Sequence, residues 1–155
     1  MNRPSAIEPP DLWERDGSFR DVYVFGTSEA DWASLLRVAR RHHATYRFDG
    51  AEAALPSPAT IFANREGGHL LQIELAGVQI NCHFFVQDEI ELDIDPRQVL
   101  DESRHEMVLM FLEELALEIQ KPLVLTPENA PETPCLTFDP KARAWTVHPL
   151  RYGAA

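Results

Sequence analysis

From Val78 to Ile94 apolar and polar side chains alternate. The even positions read Val78, Ile80, Cys82, Phe84, Val86, Asp88, Ile90, Leu92 and Ile94. The odd positions read Gln79, Asn81, His83, Phe85, Gln87, Glu89, Glu91 and Asp93, with Asp95 next. Period two places successive side chains on opposite faces of a strand. A single strand over that stretch would run about 55 Å at roughly 3.3 Å per residue, beyond the usual strand length. A tight turn, bulge or sharp bend is therefore predicted at Gln87-Asp88, where the even register carries its one polar residue. Burying the odd face would put unpaired carboxylates in the core at a cost of several kcal/mol each. The even face is thus the inner one, and a one-residue slip would reverse the two.

Helical spacing marks two other stretches. Trp32, Leu35, Leu36, Ala39 and His43 recur on one stripe, with Ser28 and Asp31 as a capping box, predicting a helix over 28–42. Val108, Phe111, Leu112, Leu115 and Ile119 form a second stripe, predicting a helix over 104–120 that Lys121-Pro122 ends. Asp95-Pro96 opens a short helical turn before it. Strands are predicted at 22–25, 45–48, 59–63, 70–75, 123–126, 135–138 and 144–147, most of them joined as hairpins. The fold class is α+β: a mostly antiparallel sheet of several hairpins with both helices on one face. Ile80, Cys82, Phe84, Ile90, Leu92 and Ile94 should meet Trp32, Leu35, Leu36, Phe111 and Leu115 there. The second helix could cross right-handed from the 90–94 strand to the 123–126 strand, giving one parallel pair.

At 155 residues the chain has the size of one domain, and no repeat or interior linker divides it. Residues 1–12 hold Pro4, Pro9 and Pro10 without periodicity and read as a loose N-terminal arm. The domain is expected over 13–150, with 151–155 a tail. No apolar run reaches membrane-spanning length and the N-terminus lacks a secretory pattern, so a cytoplasmic protein is expected. Cys82 and Cys135 show no metal-binding spacing and are expected as reduced, buried thiols.

Charge sharpens the picture. The formal net charge is −11, and residues 88–118 hold eleven of the 25 acidic side chains but two of the 14 basic ones. That balance argues against nucleic acid and anionic membranes as partners and favours a basic protein. In size and charge the chain is comparable to small acidic proteins that neutralise a toxin or regulate a basic enzyme, an analogy of composition alone.

Glu89, Glu91, Asp93 and Asp95 fall on one face of one strand, with His83 and Phe85 in the same register. The ordinary reading is a solvated or aggregation-blocking face. The functional reading is a docking face for a basic partner, formed by Glu89, Glu91, Asp93, His83 and Phe85, to which acids of the 104–120 helix could add. The alternative is a metal-assisted hydrolase using Glu89, Glu91 and Asp93 as ligands with His83. Cys82 and His83 point to opposite faces and cannot form a thiol–imidazole pair. Arg37, Arg40, Arg41 and His42 suit the C-terminal end of a helix dipole, or, with Arg47, a small anion site. The loop of Thr126-Pro127-Glu128-Asn129 is either a plain turn or a binding loop. No Walker loop, GxSxG or HExxH pattern is present. The leading expectation is a non-enzymatic binding protein without a cofactor. Its oligomeric state is open, with a homodimer through a sheet edge among the options.

Overall fold

The computed structural model describes residues 2–149; the expected tail and the last residue of the expected domain lie outside them. Among the described residues nine strands form one sheet. They are β1 (Arg20–Phe25), β2 (His43–Phe48), β3 (Ala51–Ala53), β4 (His69–Leu75), β5 (Val78–Val86), β6 (Glu89–Ile94), β7 (Leu123–Pro127), β8 (Leu136–Asp139) and β9 (Ala144–Val147). Their spatial order is β3-β2-β4-β5-β6-β1-β7-β8-β9, and every neighbouring pair is antiparallel. Three α-helices complete the fold: α1 (Glu29–Arg40), α2 (Pro58–Ala63) and α3 (Glu102–Ile119). The α+β class holds. The parallel pair does not: α3 does carry the chain from β6 to β7, but β1 lies between them, antiparallel to both. Val22 of β1 faces Leu92 on one side and Leu125 on the other, so its apolar register completes the row.

The break at Gln87-Asp88 is a hairpin turn, and a bulge between His83 and Val86 accompanies it. The bulge solves a problem of parity. Val86 faces Glu89 across the turn. On a regular ladder Phe84 would then face Glu91, and the apolar register of β5 would share a side with the acidic register of β6. One extra residue in β5 shifts the pairing to His83 with Glu91, Cys82 with Leu92 and Ile80 with Ile94. Even positions of both strands then face inward. Ile80, Cys82, Phe84, Ile90, Leu92 and Ile94 are all buried, in one cluster with Trp32, Leu35, Leu36, Phe111 and Leu115. Val86 leaves that register and stands exposed beside Phe85. Leu92→Ala is expected to cost about 2–5 kcal/mol. Glu91→Ala, next door on the outer face, gives up only a hydrogen bond from Tyr23 and should cost no more than about 1.5 kcal/mol. Equal losses in urea melts would contradict the register.

α1 begins as its capping box predicts, with Ser28 Oγ accepting from Asp31 N and Asp31 Oδ2 from Ser28 N. It runs antiparallel to α3. Asp31 pairs with Lys121 just beyond α3, Arg37 and Arg41 with Glu118, and Arg41 and His42 with Glu114. Arg47 bonds Gln72 and the Gly50 carbonyl. Arg37, Arg41, His42 and Arg47 are therefore committed within the protein and do not converge on an anion site.

Two expected elements differ. The strand expected at 59–63 is helix α2. Ser57 accepts from Thr60 N and Pro58 occupies the first turn, an N-terminal signal that outweighs the β-branched residues after it. The N-terminal arm is not loose. Arg3 Nε donates to both carboxylate oxygens of Glu113 at 2.8 and 3.0 Å. Pro4 O accepts from His105 Nε2 at 2.8 Å, and Trp13 Nε1 donates to His105 Nδ1 at 2.9 Å. Leu12 is fully buried. These anchors lie about a hundred residues away in sequence, so nothing in the local pattern announces them. Cys82 and Cys135 are free, buried thiols, both pushed up by burial. Among the described residues no helix is long and apolar enough to cross a membrane.

Candidate docking face

Odd residues of β1, β6 and β5 share the sheet face opposite the helices, and strand register lays them out in rows. Asp21, Asp93 and Asn81 form one row, and Tyr23, Glu91 and His83 the next. Phe25, Glu89 and Val86 form a third, with Phe85 of the bulge beside it. All five residues expected in a docking face, Glu89, Glu91, Asp93, His83 and Phe85, are brought together. The structure adds Asp21, Tyr23 and Phe25. They escape the pattern because β1 lends no long alternation of its own; their place depends on β1 pairing with β6, which the sequence does not spell out.

The carboxylates are unequal. Asp93 Oδ2 accepts from His83 Nε2 at 2.5 Å and Asp93 Oδ1 from Asn81 Nδ2 at 2.7 Å. Asp21 is 4% exposed; its Oδ2 accepts from Tyr23 OH at 3.1 Å and from Asn129 N at 2.7 Å. Thr126 and Pro127, expected in a loop, end β7, and the turn after them brings Asn129, at a left-handed φ of 56°, to this end of the face. Glu91 Oε1 lies 3.2 Å from the same Tyr23 OH. Asp95 bonds Arg97 N and its guanidinium, capping the turn after β6. The Glu89 carboxylate has no hydrogen bond or ion pair among the described residues. Burial raises the carboxyls of Asp21 and Glu91 above their usual range, and neighbouring acids add to it. Burial also raises the Tyr23 hydroxyl, followed by Asp21. The Asp93 hydrogen bond raises the His83 imidazole, and the charges of Asp93, Glu91 and Asp21 assist.

The sign of the His83 effect follows from linkage. A histidine whose folded pKa is raised adds stability below its unfolded value, near 6.5, and loses it as pH rises through the folded value. The stability difference between wild type and His83→Gln should therefore be larger at about pH 5.5 than at about pH 8.5. Urea melts at the two pH values check this, and a larger difference at the alkaline value would contradict it.

A metal site needs several of these groups to converge on one point. Among the described residues no set of three or more His, Cys, Asp and Glu side chains is so arranged. Asp93 turns toward His83 and Asn81. Two clefts among the described residues hold none of the face's residues. One is lined by Ile7, Leu12, Trp13 and Leu100, another by Arg3, His42, Met107 and Met110. What the face does present is apolar and acidic together: Phe25 is 47% and Phe85 55% exposed, on either side of Glu89. Comparison with protein-family models, with curated proteins and with solved structures returns no match.

Proposed function

We propose that this chain is an interaction protein that docks a basic protein partner on the outer face of β1, β6 and β5. The observation that carries the reading is Glu89, an unpaired carboxylate between exposed Phe25 and the exposed Phe85–Val86 pair. An apolar patch supplies contact area, and a carboxylate within it supplies a charge for a cation to neutralise. The net charge of −11 steers a basic molecule toward the protein. The helix side offers less. Glu113 is held by Arg3 and Trp145, Glu114 by Arg41 and His42, and Glu118 by Arg37 and Arg41. The acids of α3 are thus largely neutralised within the fold and add little to docking.

The test is fluorescence anisotropy with a labelled lysine-rich peptide at about 20 and about 300 mM salt. Binding should weaken with salt. Glu89→Lys/Glu91→Lys should weaken it by roughly tenfold or more. Glu14→Lys/Glu106→Lys, an equal change in net charge on the helix side, should have a much smaller effect. Equal losses in the two double variants would reduce docking to bulk charge and overturn the proposal. So would a dimer mass in light scattering that Glu89→Lys/Glu91→Lys converts to a monomer, which would give the face to a second copy.

A further inference from the structure

Two columns of stacked rings border the acidic column of β6. Tyr23 and Phe25 stack with centroids 5.6 Å apart and planes 7° from parallel. His83 and Phe85 stack at 5.0 Å and 8°. β1 and β5 lie on opposite sides of β6, each one strand spacing, about 4.8 Å, away. The inner ring of each column is tied by hydrogen bonds, Tyr23 to Asp21 and Glu91, His83 to Asp93. The outer rings, Phe25 and Phe85, use one face for stacking and remain about half exposed. Glu89 stands between them. Arg65 does not fill this place: it spends its guanidinium on the carbonyls of Phe84 and Phe85, over the ring of Phe62.

Resting on the docking reading above, we propose that this spot takes an arginine of the partner in preference to a lysine. The carboxylate of Glu89 accepts from the guanidinium fork, whose plane lies on the open face of Phe85, with Phe25 on the far side of Glu89. A guanidinium is planar, weakly hydrated and able to bond a carboxylate through two N–H groups while stacking on a ring. An ammonium is a compact, strongly hydrated charge and gains less from the same surroundings. Stacking at a half-exposed site corresponds to an advantage of about two- to fivefold in affinity.

Two labelled peptides that differ only in carrying arginines or lysines at the same positions test this by anisotropy at low salt. Wild type should bind the arginine peptide about two- to fivefold more tightly. Phe85→Leu keeps apolar bulk and should bring the two affinities together, chiefly by weakening the arginine peptide; Phe25→Leu serves as a second ring variant. Glu89→Gln should weaken both peptides. Circular dichroism confirms that each variant is folded. Equal affinities in wild type, both reduced by Glu89→Gln, would overturn the arginine preference and leave docking intact. A preference that survives in Phe85→Leu would overturn the assigned seat. Failure of both peptides to bind at low salt would remove the docking reading itself.

Discussion

Replacing Trp32 by alanine is expected to lower the free energy of unfolding by about 3–5 kcal/mol. Trp32 is fully buried on α1. Its ring stacks on Phe84 at 5.1 Å and meets Phe62 edge-on at 5.0 Å, so it joins α1, α2 and β5. Its indole N–H also donates to Gln87 O at 2.8 Å, in the turn between β5 and β6. Trp32→Phe keeps most of the packing, and Gln87 O still accepts from Thr27 Oγ1 at 2.8 Å. That variant should lose less, about 1–2 kcal/mol. Urea melts distinguish the two. A loss below about 1 kcal/mol for Trp32→Ala would mean that α1 does not hold the hairpin end as described. Because that end carries Phe85 and Glu89, Trp32→Ala should also weaken binding of a basic peptide.

The second large effect belongs to Arg20. It is 4% exposed, and its partners are mainly backbone carbonyls. Nε donates to Leu12 O at 2.5 Å, Nη2 to Glu14 O at 3.0 Å and Asp11 O at 3.3 Å, and Nη1 to Phe19 O at 3.1 Å and Ser18 Oγ at 2.8 Å. One guanidinium thus ties the first strand to the N-terminal segment. Arg20→Met retains the apolar stem but orphans these acceptors, and is expected to cost about 3–5 kcal/mol. Arg20→Lys cannot reproduce the fork and should recover little of it. Chemical melts read the loss, and hydrogen exchange at residues 5–13 should speed up. Full stability in Arg20→Lys would show that charge alone, rather than the fan of carbonyl bonds, holds the segment.

The difference between what was readable in the chain and what was not is a matter of range. The alternation over 78–94 carries its own face assignment, because only one register avoids burying carboxylates. The caps at Ser28 and Asp95 are likewise local, and the structure places a helical start at each; α3 starts before the expected 104, with Asp101 Oδ1 accepting from Arg104 N. Arg20 is different. An arginine beside a β-branched run reads as a strand flank, and its burial depends on carbonyls that a turn through Gly17, at φ 87°, brings back to it. Asp21, Tyr23 and Phe25 join the outer face only because β1 inserts between β6 and β7, a choice made by tertiary packing. The same holds for the charge-rich stretch 88–118. Its acids look like one surface in sequence, yet Asp93, Asp95, Glu113, Glu114 and Glu118 are matched to His83, Arg97, Arg3, Arg41 and Arg37. Among the described residues, Asp88 and Glu89 at the hairpin end are the acids of this stretch whose side chains have no hydrogen bond or ion pair.

The placement of the partner is tested most directly by nuclear magnetic resonance. A basic peptide titrated into isotope-labelled protein at low salt should shift the amide signals of Phe25, Phe85, Val86, Glu89 and Glu91 together, in one saturable step, while those of Glu102, Glu106 and Glu114 on α3 move little. Shifts centred on α3 or the N-terminal segment, or spread evenly over all acidic residues, would contradict docking on the outer face of the sheet.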